Sequence, residues 1–209
     1  MELYLFQKQV GKMKMAFIVF DQMTTLDFVG FYDAMTRLRT LQLMENVSWD
    51  ICATRPEVTD GLGIKMKIEH VLPDLSAYDL IFVPGGLGTR KLKDDAEFLS
   101  WLKTASDVEM KVSVCTGALL LGAAGFLTDK RATTNPPAYE ILKPYCKEVV
   151  KARIVRDGNV ITGGGVATSI DLGLYVLESF TDAETVRNIQ KSMDYPYYQT
   201  GKTGSDYMV

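Results

Sequence analysis

Among the side chains of this 209-residue chain able to do covalent chemistry, Cys115 has the most telling surroundings. In MKVSVCTGALLLGAAGFL (110–127), a short strand-forming run leads into it and a helix of small residues follows at once. A strand that becomes a helix through one residue makes a sharp, strained corner whose side chain projects above the sheet. The first amides of the helix carry partial positive charge, which lowers a thiol pKa and holds a developing negative charge. Gly117, Ala118, Gly122, Ala123 and Ala124 would let that helix lie close on the sheet. A free cysteine also packs readily as a small buried hydrophobe. Spacing alone leaves nucleophile and packing residue equally open.

Thiol chemistry of the protease kind needs a histidine beside the sulfur. The chain has one, His70 in IEHVLPDL, expected at a loop or on the surface. That leaves a carboxyl as partner, and Asp27 in TLDFVG is the best placed. Flanked by Leu26 and Phe28, it would have a raised pKa and keep a proton toward neutrality. An aspartate at a helix start also serves as an N-cap, and the residues by themselves favour that plainer role.

Gly85-Gly86 in VPGGLGT end a buried apolar run, and their backbone would complete an anion-holding site if it converged on Cys115. No Lys-Ser/Thr follows and no G-x-G-x-x-G is complete, which argues against a nucleotide cradle. TGGGVATSID (162–171) either holds an anion or lets the backbone pass close to the corner, with Asp171 fixing the turn. Cys52 and Cys146 read as structural, Trp49 and Trp101 as packing residues. No His/Cys/Asp/Glu set has metal-ligand spacing, so no metal is expected.

The elements that must position these residues alternate along the chain. Strands are predicted at 14–20, 48–54, 78–83 and 110–114, and helices at 26–38, 94–106, 116–127, 135–145, 167–180 and 182–195. Residues 61–72 read as a hairpin with a polar edge, and 151–165 as a hairpin turning at Asp157-Gly158. This order predicts an α/β three-layer sandwich on a mostly parallel sheet, with ligands collecting at the carboxyl ends of the strands. One domain over 14–195 is expected, with an N-terminal extension at 1–13 and a tail at 196–209, loose or covering a pocket.

Composition narrows the function classes. The chain is 47% hydrophobic and 23% charged with net charge −3, which argues against nucleic-acid binding and a polybasic membrane contact. No apolar run reaches the ~20 residues of a membrane span. The first residues show no secretory leader, and three widely spaced cysteines suit a reducing cytoplasm.

VSVCTGALLLGAAGFLTDKRATT, with VPGG upstream, TLDFVGFYD near the start and VITGGGVATSIDLGLYVLE downstream, resembles the ThiJ/PfpI superfamily over about residues 14–193. The nearest branch is the isocyanide (isonitrile) hydratases. The resemblance implies a flavodoxin-like, glutamine amidotransferase-like fold, and a homodimer without metal or cofactor that acts on a small molecule. It implies Cys115 as nucleophile on an elbow, Asp27 as its acidic partner and Thr116 as the following threonine. It also implies Gly85, Gly86 and the Thr116–Gly117 backbone as oxyanion contacts. Asn135, Gly164 and Gly165 fall where the pocket is expected. Two places depart from the hydratase pattern: Asn135-Pro136-Pro137 stand in place of a histidine and an aromatic residue, and Phe31 in place of a proline. The implied reaction is hydration of an isocyanide to an N-substituted formamide. The alternatives are glyoxalase, deglycase or amidase-like chemistry on the same site, or a redox or ligand sensor without catalysis.

Overall fold

The computed structural model describes residues 12–201 together with 206 and 207. Eleven strands run in chain order: β1 Met13–Ile18, β2 Val47–Ala53, β3 Glu57–Thr59, β4 Lys65–Lys67, β5 His70–Val71, β6 Leu80–Val83, β7 Met110–Val114, β8 Arg131–Ala132, β9 Glu148–Val149, β10 Ile154–Asp157 and β11 Val160–Gly163. Seven form the central sheet in the order β10-β11-β7-β6-β1-β2-β5, parallel except for the β10–β11 hairpin. Every residue of β6 and β7 is buried, because a parallel strand covered by helices on both faces has no solvent side; β6 is wholly apolar, while β7 buries Lys111 with its ammonium on the Ser106 and Val108 carbonyls. The three-layer α/β sandwich expected from the sequence is the observed fold.

Helices Thr25–Thr40 and Thr168–Phe180 pack on each other through small residues, Gly30 facing Ser169 and Gly173 facing Ala34. A side chain at either glycine would begin 2.2 Å from Ser169 Oγ or 2.6 Å from Ala34 Cβ. Helix Gly117–Ala123 lies against β6 and β7 because Gly117 clears the Val83 carbonyl; a Cβ there would stand 2.2 Å from that oxygen. Trp49 and Trp101 bond Tyr32 Oη and the Pro73 carbonyl, as packing residues with satisfied indoles.

The sheet order turns back between β6 and β1, so the segments leaving their carboxyl ends part and leave a crevice. Asp27 follows β1, Gly85 follows β6, and Cys115 follows the neighbouring β7.

Several expectations need correction. The hairpin is β3–β4, closed by Asp60 accepting the Leu62 and Ile64 amides at 2.9 and 2.8 Å. His70 has left it for β5, the sheet edge beside β2, because one continuous alternation does not mark where a strand changes partner. The segment 135–145 is no single helix. Pro137 and Pro144 lack the amides a helix needs, so it breaks into 3₁₀ turns around Tyr139–Leu142. Met13 opens β1, and residues 1–11 of the expected N-terminal extension lie outside the described residues. The described part of the tail is pinned, not loose. Tyr207 exchanges backbone bonds with Ile154 at 2.8 and 3.2 Å on the outer edge of β10, and Tyr198 stacks on it and donates to Glu178.

Candidate active site

Cys115 has φ +54°, the left-handed region that a non-glycine residue occupies at a cost of about 1–3 kcal/mol. Two bonds hold it there. Its amide donates to the Gly163 carbonyl at 3.0 Å, and its carbonyl accepts from Thr134 Oγ1 at 2.7 Å. The strain turns Sγ out of the sheet toward the crevice.

Asp27 is the third residue of helix Thr25–Thr40, not its N-cap; Thr24 holds that position. It is fully buried, and its Oδ2 accepts the Gly85 amide at 2.9 Å. Its Oδ1 has no hydrogen-bond partner among the described residues. Thr116 Oγ1 accepts the Gly86 amide at 2.9 Å and lies 3.1 Å from the Gly86 carbonyl. The amides of Gly85 and Gly86, expected to face a substrate oxyanion, are thus occupied in holding Asp27 and Thr116. The Thr116 hydroxyl is tied to Gly86. Asn135 Nδ2 donates to Cys115 Sγ at 3.5 Å.

Burial is the largest influence on both acids. It pushes Asp27 up to about 6, partly offset by the Gly85 amide and the Cys115 thiol. It pushes Cys115 up to about 11, with the Asp27 charge adding to the rise and the Thr116 amide and Asn135 opposing it. The expected thiolate is therefore not the resting form. A seven-residue helix gives the sulfur one backbone N–H, which does not outweigh desolvation. Burial and the neighbouring Asp27 charge both favour the protonated thiol.

Gly85 is the crowded joint of the site. A Cβ there would lie 2.5 Å from Thr116 N and 2.8 Å from both Asp27 Oδ2 and Cys115 Cβ. Gly85→Ala is expected to cost about 1–3 kcal/mol in a urea titration and to slow alkylation of Cys115, because the joint must open.

Other sequence candidates lie farther out. Gly163, not Gly164 or Gly165, carries the contact to the elbow; the Gly164 amide is spent on the Arg153 carbonyl. Asp171 binds Arg153 Nε rather than the glycine turn. Phe31 is core, stacked on Phe82 with centroids 4.0 Å apart, because the turn of the helix points it inward. His70 pairs with Asp50 at 3.1 Å, with three strands between it and β7. Cys52 is buried with its thiol on Tyr78 Oη, and no disulfide is present among the described cysteines. No cluster of three or more His, Cys, Asp or Glu able to hold a metal occurs among the described residues. Thr134 and Gly163 were not singled out in the sequence; the repeated threonines after Arg131 were the available signal for the first, and the register of Gly163 with Val114 shows only in the sheet.

A left-handed cysteine between β7 and a small-residue helix, facing a carboxyl brought from the helix after β1, accords with the comparison of families. Residues 13–179 match the DJ-1/PfpI family. The chain belongs to the DJ-1/PfpI family. Among its DJ-1/PfpI relatives, the isonitrile hydratase of Pseudomonas putida is 34% identical over 184 residues, covering 88% of this chain and 78% of that protein. A THiJ/PfpI family protein from Pseudomonas syringae superposes with a TM-score of 0.80 at 29% identity, covering 94% of this chain and 80% of the other. The DJ-1beta of Drosophila melanogaster shares the DJ-1/PfpI fold, with a TM-score of 0.76 at 18% identity over 89% of this chain and all of the other.

Proposed function

We propose that this protein is a cofactor-independent hydratase that converts an isocyanide, R–N≡C, into an N-substituted formamide. The observation that carries the reading is the left-handed, buried Cys115 beside the buried Asp27, whose Oδ1 has no hydrogen-bond partner among the described residues, with no histidine beside them. Similarity to an isonitrile hydratase over most of both chains supports the same substrate class.

The chemistry needs one nucleophile and one proton shuttle. Sulfur attacks the terminal carbon while Asp27 takes the thiol proton and passes it to that carbon, leaving a thioimidate, R–N=CH–S–Cys115. Asp27, ionised again, draws a proton from water as its oxygen adds to the same carbon. The water protons go to nitrogen and to the departing sulfur, the C–S bond breaks, and R–NH–CHO is released. The Asp27 Oδ1 that no protein donor occupies is the oxygen available for this shuttle. Thr116 keeps the glycine loop closed on the pair.

An accessible, low-pKa thiol is what oxidation selects. Cys115 is 4% exposed with its thiol pushed up, which argues against a redox sensor, and catalysis at such a thiol needs Asp27 to take its proton. We read the working unit as a homodimer in a reducing compartment. Exposed Leu26, Val29, Leu62, Ile64 and Leu87 on the segments around the crevice support a second copy, and three free cysteines support the compartment. None of the described helices is long and apolar enough to cross a membrane.

The test is incubation with a small ultraviolet-absorbing isocyanide, following the formamide by absorbance and mass spectrometry. Turnover is expected, with kcat/KM falling about tenfold per pH unit below about 6 as Asp27 becomes protonated. Absence of product from folded protein would redirect the search to aldehyde or amide substrates on the same pair.

A further inference from the structure

We propose that Asn135 is the fixed hydrogen-bond donor that sets the nucleophilicity of Cys115, stabilising the thiolate as it forms without exchanging a proton with it. The inference rests on Cys115 acting as the nucleophile, but not on the substrate being an isocyanide.

Sulfur meets three kinds of group in this site. The Asp27 carboxylate takes its proton, and the Thr116 amide and Asn135 Nδ2 donate to it, the latter from 3.5 Å. Asp27 and Asn135 thus meet the sulfur in opposite roles, one taking a proton from it and one donating a hydrogen bond to it. Both donors favour the charged form and oppose the burial that pushes the thiol up. An amide has no acidic proton to lose near neutrality, so it strengthens the nucleophile without a titration of its own.

The chain around Asn135 is built to aim it. The Thr133 amide donates to Thr162 Oγ1 at 2.9 Å and its hydroxyl to the Ala152 carbonyl at 3.1 Å. Thr134 Oγ1 donates to the carbonyl of Cys115 itself. A residue before proline is held extended, and Asn135 has ψ 131° ahead of Pro136. Its carbonyl then accepts the Ala138 amide at 2.8 Å, closing a 3₁₀ turn that two prolines stiffen. The Asn-Pro-Pro departure from the hydratase pattern thus places a non-ionising donor on the sulfur.

The experiment is the rate of Cys115 alkylation by iodoacetamide and by methyl methanethiosulfonate, read by peptide mass spectrometry at pH 7–9, in wild type, Asn135→Leu and Asn135→Ala. Leucine keeps the volume and lacks the donor; alanine lacks both and opens the site. Loss of a hydrogen bond to a charged group is expected to slow both variants by roughly 10- to 100-fold with both reagents. If packing or access were the role, the two variants would move in opposite directions, and that result overturns the proposal. So does a folded variant that reacts at the wild-type rate. Because alkylation needs no substrate, a failed isocyanide assay leaves this result readable. With a turned-over substrate, kcat/KM is expected to fall by the same factor while the acid limb near pH 6 stays in place.

Discussion

Cys115→Ala is expected to lower formamide production by at least ~10³-fold, to the level of the uncatalysed reaction, with the fold retained. Asp27 and the Thr116 amide can polarise a substrate, but neither forms the bond to carbon that splits hydration into two easier steps. Alanine tolerates the +54° φ no worse than cysteine does, and the Gly163 and Thr134 bonds to the backbone remain. The stability cost should therefore stay near ~1 kcal/mol, the loss of one small buried group. The assay pairs formamide yield with circular dichroism and a urea titration. Substantial turnover by folded Cys115→Ala would remove the nucleophile from the mechanism and leave Asp27 acting on water directly.

Asp27→Asn should make the protein more stable as it destroys activity. The carboxyl titrates at about 6 in the folded chain against an ordinary 3.8. The folded state therefore binds this proton more tightly than the unfolded chain. That contribution to stability is fully present below about pH 3.8 and is lost as pH rises through about 6. A shift of about two units corresponds to ~3 kcal/mol lost at pH 8, and a side chain that never ionises escapes the loss. Asparagine can still accept the Gly85 amide through its oxygen. The variant is expected to gain ~2–3 kcal/mol over wild type at pH 8, a rise in Tm of roughly 5–10 °C, and to show little gain at pH 4. Turnover should drop by about 10³-fold, since no base remains to move the thiol proton. Thermal melts at the two pH values separate the effects. Equal Tm values at pH 8 would mean that the carboxyl does not carry the burial penalty, and would end the proton-shuttle role with it.

Much of the scaffold was legible in the chain because burial on both faces leaves a plain mark. LIFV reads as a covered strand and the helices carry periodic apolar residues, whereas MKVSV alternates and only the structure shows it covered on both faces. The corner at Cys115 was legible too, since a strand running straight into small helical residues has few ways to turn. Less legible were the segments whose partners are distant. His70 sits in an alternation that continues from a hairpin into another sheet, and nothing local marks the change. Asp27 reads by itself as a helix cap; only the Gly85 amide, 58 positions away, makes it a buried acid instead. The segment 135–145 reads as one helix opened by Asn-Pro, and neither its break at Pro137 and Pro144 nor the approach of Asn135 to the sulfur was read from it.

The sequence by itself determined the alternation of strands and helices, the position of the elbow and the types of group available: one thiol at a corner, a carboxyl among apolar neighbours, and a single distant histidine. These follow from local propensity and from the period of apolar residues, which act within a few positions. Only the tertiary structure decided which groups meet the thiol and the carboxyl and what holds them. The Gly85 and Gly86 amides are turned onto Asp27 and Thr116, the thiol is pushed up and not down, and Asn135 is brought to within 3.5 Å of the sulfur. Desolvation and hydrogen bonding depend on which groups from β1, β6, β7 and the 133–135 segment converge at one crevice, and no local pattern of residues contains that information.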